Sequence, residues 1–298
     1  MNWTELDTWI VLTAAFMAMA CALPGVFLLL NRQSMLGDAI SHGVLPGLAI
    51  AFLVTSSRAP WAMLLGAVIA GVLTGVLTQW VQRFGQVEGG ASMGVVFCFL
   101  FALGLILIRT AADHVDLDPG CVLYGSIETA VVDVNRVPRI FWVSVAMLGA
   151  NALLVACFYK ELKIASFDPD LATSQGISAT WVRNGLTVVT AITTVMAFES
   201  VGSILVIAMM VAPAAAASLL SHRLSAILWL SVLLAGFSAV LGHLGALTVF
   251  PATLAKLGLG KTGATSTAGM MAVSAGVLFA LAFVWSLVKD RIAVRAKA

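Results

Sequence analysis

The run Met35-Leu36-Gly37-Asp38-Ala39-Ile40-Ser41-His42-Gly43-Val44-Leu45-Pro46-Gly47-Leu48-Ala49-Ile50-Ala51-Phe52-Leu53-Val54 is almost wholly apolar, yet it carries a carboxylate and an imidazole. Its length is close to the ~20 residues that a helix needs to cross a hydrocarbon core. On a helix, positions i and i+4 share a face, so Asp38 and His42 can reach one small target. Ionisable groups at membrane depth are expensive and usually line a cavity or a pathway. A carboxylate with an imidazole suits a divalent first-row metal better than an alkali ion or an organic anion. The same spacing also allows a plain structural reading, with Asp38 paired to Arg32 and His42 bonded to a backbone carbonyl. Spacing alone leaves both readings open.

The rest of the chain agrees that this is a membrane protein. Its 298 residues are 61% hydrophobic and 10% charged, with a mean hydropathy of +1.04. That balance excludes a soluble globular domain and predicts an all-α, polytopic helical bundle embedded in lipid. A net charge of +2 argues against nucleic-acid binding. Trp9, Trp61, Trp80, Trp142, Trp181, Trp229 and Trp285 fall near the ends of apolar runs, where an interfacial belt belongs. Cys21, Cys98, Cys121 and Cys157 are scattered without a CxxC, so neither a disulfide nor a thiolate metal site is expected. The N-terminus lacks a basic n-region, so no cleavable signal peptide is expected.

Apolar windows predict about nine spans, roughly 9–30, 36–54, 61–80, 91–109, 138–159, 181–199, 200–220, 225–245 and 269–288. If 181–220 is one long bent helix, the number falls to eight. Pro24-Gly25, Pro46-Gly47 and Pro213 are expected to interrupt spans. Small residues at Gly66, Gly71, Gly75 and through 212–218 read as sites of close helix packing or protomer contact. With no internal repeat and no linker, residues 1–298 read as one domain.

Basic residues set the orientation. Arg32, Arg83, Lys160, Lys163, Arg183, Arg223, Lys289, Arg291, Arg295 and Lys297 alternate onto one side, predicted cytoplasmic. Glu5, Asp7, Asp113, Asp116, Asp118, Glu128 and Asp133 take the other side, while Arg58, Arg136, Arg139, Lys256 and Lys261 oppose the bias. The N-terminus is therefore predicted outside and the C-terminus inside. The acidic run 113–118 reads chiefly as a hydrated loop that raises local cation concentration.

Residues 160–180 form the largest inner loop. Ser166 or Asp168 fits the cap of a short helix, Pro169 its first position and Gly176 its end. Such a helix is unstable alone in water and needs a partner surface, either the membrane or a protein. Gly258-Leu259-Gly260-Lys261-Thr262 echoes a phosphate-binding loop, but Ala255 replaces the first glycine and no strand precedes it. No hydrolase motif is present.

Several of these stretches carry a resemblance. Residues 37–47, Gly94-Val95-Val96-Phe97 with Leu100-Phe101-Ala102-Leu103-Gly104, residues 159–172, residues 201–215 and residues 267–273 are similar to the permease subunits of bacterial ABC importers for manganese, zinc and iron. The resemblance implies a bundle of the type II ABC importer kind, multi-pass in the cytoplasmic membrane, with no ATPase site and no permanently bound cofactor. It implies that Asp38 and His42 contact the transported divalent metal. It places Glu161, Phe167, Asp168 and Pro169 in or beside the contact with a cytoplasmic ATP-binding cassette subunit. It further implies a second permease protomer, identical or related, and an extracytoplasmic metal-binding protein. The other classes to weigh are a permease for a metal chelate or vitamin, an ion-coupled secondary transporter, and an intramembrane enzyme using His42 as base.

Overall fold

The computed structural model describes residues 3–55, 59–111, 127–131, 137–249 and 266–295. The acidic run 113–118, the glycine pattern 258–262 and Cys121 lie outside them. Among the described residues every regular element is helical: α1 (Glu5–Leu30), α2 (Leu36–Gly43), α3 (Leu45–Thr55), α4 (Pro60–Gly85), α5 (Gly89–Ala111), α6 (Ile127–Ala130), α7 (Arg139–Cys157), α8 (Tyr159–Phe167), α9 (Pro169–Ser174), α10 (Ala179–Val201), α11 (Ser203–Leu220), α12 (Leu224–Leu244) with a π-helical turn at Gly245–Val249, and α13 (Thr267–Arg295). Eight segments among the described residues are long and apolar enough to cross a membrane.

The predicted break near 199/200 falls at Gly202, whose φ of 88° and ψ of 160° end α10. That backbone region is essentially reserved for glycine. α10 and α11 are thus separate helices, but α10 is not among the eight apolar ones. Its 23 residues include Arg183, Asn184 and a row of threonines. Thr187, Thr190, Thr193 and Thr194 are buried, and Thr187 and Thr190 donate back to the carbonyls of Arg183 and Leu186. A helix wrapped by protein can keep hydroxyls that bond its own backbone.

The prolines divide. Pro46 does fall at a break, since α2 ends at Gly43 and α3 begins at Leu45. Pro24 and Pro213, expected to interrupt their spans, instead lie inside continuous helices. Pro24 leaves the carbonyl of Ala20 without its helical donor, and the side-chain amide of Asn151 donates to that oxygen at 2.9 Å. A freed carbonyl satisfied by a neighbouring helix no longer needs to bend toward water.

Contacts group the chain into two compact units, Met1–Val26 with Ser126–Leu153 and Ile204–Ala298, and Phe27–Gly125 with Leu154–Ser203. In the first unit, α1 meets α11 so closely that a Cβ on Gly25 would lie 2.1 Å from the Met210 carbonyl oxygen. In the second, α4 is the hub. Gly47 and Gly66 touch backbone to backbone, Gly71 faces Ile40, and Gly75 leaves room for Thr187. The small residues of α4 therefore pack within the chain, letting α2, α3 and α10 approach it. Trp61, Trp80, Trp142, Trp181, Trp229 and Trp285 are exposed, as belt residues should be.

Candidate functional site

α2 is an eight-residue helix with one covered side: Leu36, Gly37, Ala39, Ile40, Ser41 and Gly43 are buried. Gly43 lies where any side chain would strike Thr74 of α4. This packing leaves Asp38 and His42 together on the open side. Asp38 Oδ1 and His42 Nε2 are 3.4 Å apart, with the side chains 38% and 30% exposed. The pair is neither sealed in the core nor fully hydrated.

α5 supplies the rest of the setting. The rings of Phe97 and Phe101 lie 5.5 and 5.7 Å from the His42 imidazole, the second edge-on. His42 Nδ1 is buried and has no hydrogen-bond partner. The imidazole is thus oriented by packing, and Nε2 is the nitrogen turned toward the carboxylate. Gly104 brings α5 against the α2–α3 junction, where a Cβ would lie 2.8 Å from the Pro46 nitrogen. Because Pro46 has no N–H, the His42 carbonyl loses its normal helical donor. The pair therefore sits beside the break in its span. No ion pair between Asp38 and Arg32 occurs among the described residues, and no third His, Cys, Asp or Glu joins the pair there. Ser41 is buried and donates to the Gly37 carbonyl at 2.9 Å, so it is no nucleophile for His42.

In the stretch read as the largest inner loop, the capping residues do specify a short helix, and Tyr159–Phe167, read as loop, forms a second one before it. Asp168 caps α9, its Oδ1 accepting from the Leu171 N–H at 2.9 Å. Pro169 takes the first helical position, and Gly176 adopts a positive φ of 81° just past the end. Ala172 and Leu162 anchor the pair α8–α9 inward, whereas Phe167 and Leu171 are exposed. Glu161 is half-buried, and Asp168 and Pro169 are exposed. Exposed apolar side chains flanked by polar ones mark a surface suited to a partner.

A third polar cluster has no counterpart in the sequence reading. His243, 2% exposed at the end of α12, has Nε2 at 3.3 Å from Asp7 Oδ1 in α1. The far oxygen of Asp7 accepts from the Thr4 N–H and hydroxyl. His243 Nδ1 is 3.4 Å from the Thr267 hydroxyl, the Thr267 N–H donates to Glu128 at 2.7 Å, and Trp3 lies edge-on to His243 at 5.6 Å. Asp7 and Glu128, both assigned from charge to one face, thus meet at one end of the first unit. The only sequence signal was that shared face; His243 by itself resembles any helix-end histidine.

Comparison with known proteins extends these observations. A model of the ABC 3 transport family matches residues 4–285. The chain is 40% identical over 288 residues to the manganese transport system membrane protein MntD of Bacillus subtilis (strain 168), covering 95% of this chain and 92% of that one. It is 40% identical over 284 residues to the zinc transport system membrane protein TroD of Treponema pallidum (strain Nichols), covering 93% and 73%. Among solved structures, PsaBC from Streptococcus pneumoniae in complex with Fab matches at a TM-score of 0.73 and 26% identity, covering 94% of this chain and 91% of that one. An inward-facing putative metal-chelate type ABC transporter matches at a TM-score of 0.65 and 16% identity, a likeness of fold alone.

Proposed function

The chain belongs to the ABC 3 transport family, and from that premise we propose that it is the permease of an ATP-driven importer for a divalent transition metal: manganese, zinc or iron. The supporting observation is the convergence of Asp38 Oδ1 and His42 Nε2, 3.4 Å apart on the one uncovered side of α2. Relatives named for manganese and zinc transport support the cargo. Two protein ligands fall short of the three or four of a structural or catalytic zinc site. The deficit suits transport, since the ion must bind well enough to enter and weakly enough to leave. Water, or the same pair from a second permease protomer, completes the coordination.

A cytoplasmic ATPase subunit docks on α8–α9, against Glu161, Phe167, Asp168 and Pro169. Its closure on ATP tilts these helices and switches access to the pair, and the break at Pro46 lets α2 move without unravelling. An extracytoplasmic binding protein delivers the ion to the face that carries the N-terminus. The permease sits in the bacterial cytoplasmic membrane and contributes no hydrolytic residue.

Uptake by the reconstituted complex, with manganese, zinc and iron in competition, tests the assignment. Asp38→Ala and His42→Ala are each expected to abolish uptake while the complex still assembles and hydrolyses ATP. Normal uptake in both variants would overturn the site.

A further inference from the structure

We propose that a cavity beside α8–α9 is an oxyanion site for a phosphate group, supplied by an anionic phospholipid headgroup or by free inorganic phosphate. The cavity measures about 440 Å³ and opens between the turn after α1, α8–α9 and the start of α10. That volume lies within the range of small-ligand pockets.

Its lining is cationic. Arg32 and Arg183 both face it, with Asn31, Ser166 and Thr180 as neutral hydrogen-bonding groups and Asp170 as the opposing carboxylate. Neither arginine is in an ion pair among the described residues, with Asp170 or with anything else. Arg183 Nε is buried and lacks any hydrogen-bond partner. A guanidinium N–H taken out of water without an acceptor is unfavourable. Guanidinium groups match the planar, multidentate demand of phosphate oxygens better than ammonium groups do.

Arg32 adds an independent argument. The Gln33 N–H donates to Leu28 and the Arg32 N–H to Leu29, which is the paired closure that ends a helix on a left-handed residue. That residue is ordinarily glycine, but here Arg32 holds a φ of 56°. Keeping a long cation where glycine fits better implies that the guanidinium is wanted there. Leu30, Leu162 and Leu186 border the same cavity, an apolar margin fit for the glycerol end of a lipid. An anion held by Arg32 and Arg183 ties the turn that launches α2 to the foot of α10.

Binding to the purified full-length chain tests the site without reference to metal transport. Native mass spectrometry after exchange into phosphatidylglycerol, cardiolipin or phosphatidylcholine reads the lipid source, and labelled inorganic phosphate in lipid-free detergent reads the other. At least one anion is expected to be retained about tenfold better than phosphatidylcholine, with the difference lost in Arg183→Gln and in Arg32→Gly. Arg32→Gly removes the cation and relieves the backbone, so its unfolding temperature should hold or rise, separating lost binding from lost fold. Equal retention of anionic and zwitterionic lipid with no phosphate bound overturns the proposal. So does unchanged anion binding in both variants. If Arg183→Gln instead weakens only the hold of the ATPase subunit, the acceptor is a partner's carboxylate and the proposal fails.

Discussion

His42, the imidazole proposed to meet the metal, is oriented without a hydrogen bond at its second nitrogen. A metal-binding imidazole ordinarily fixes its second nitrogen by donating to a carboxylate or a carbonyl; here Nδ1 is buried and unpartnered, and Phe97 and Phe101 hold the ring by contact. An aromatic pair contributes about 0.5–1.5 kcal/mol beyond its area, and each ~1.4 kcal/mol is tenfold in affinity. Phe101→Ala should therefore raise the KM for metal uptake by roughly threefold to tenfold with kcat little changed, because it loosens aim rather than removing a ligand. Leucine at 101 should recover part of the loss. A KM unmoved in the Phe97→Ala, Phe101→Ala double variant would show that the rings do not position His42. The Asp38–His42 pair was legible because helical spacing alone places i and i+4 together. The phenylalanines were not, since they belong to another helix, and only the folded α5 brings them to the site.

At the scale of single elements, the local code reads best where the chain meets water. α9 is specified by its own residues, with Asp168 at the cap, Pro169 at the first position and Gly176 beyond the end. Asp168→Ala should remove a cap worth ~1 kcal/mol, fray α9 and weaken binding of the ATPase subunit. Asp168→Asn keeps the acceptor oxygen and should restore binding, whereas Asp168→Lys should uncouple hydrolysis from uptake. Titration of the ATPase subunit onto each variant measures this, and equal weakening by Asn and Ala would place the role in the charge rather than in the cap. Inside the bilayer the local code is less complete. Pro24 carries the same breaking signal as Pro46, yet α1 runs on, because the breaker's freed carbonyl at Ala20 finds Asn151 on α7. At Pro24 the unbroken helix goes with a tertiary donor to the freed carbonyl, which no window along the sequence contains. Thr187 and Thr190 of α10 likewise find acceptors for their hydroxyls, in their own helix.

At the scale of the whole molecule, the first compact unit is assembled from three separated stretches of chain, and the pair Asp7–His243 fastens two of them. His243 belongs to α12 and Asp7 to α1; Thr267 of α13 and Glu128 of α6 continue the chain of contacts. Contacts of this kind close long loops: His243 Nε2 is buried without a hydrogen bond and has the Asp7 carboxylate 3.3 Å away, so removing that carboxylate leaves it with no polar neighbour to offset its burial. Both residues belong to the first unit, whereas Asp38 and His42 belong to the second. Contacting residues in a shared network show coupling of about 0.5–3 kcal/mol. A double-mutant cycle on Asp7→Asn and His243→Gln, read by thermal unfolding in detergent, should fall in that range, with each single variant destabilised and the double variant losing less than their sum. His243→Gln should cost more than Asp7→Asn, since His243 is 2% exposed and Asp7 16%. Strict additivity would mean that the two side chains are neighbours without being partners, and the closure of this end would then rest on Trp3 and on apolar packing alone.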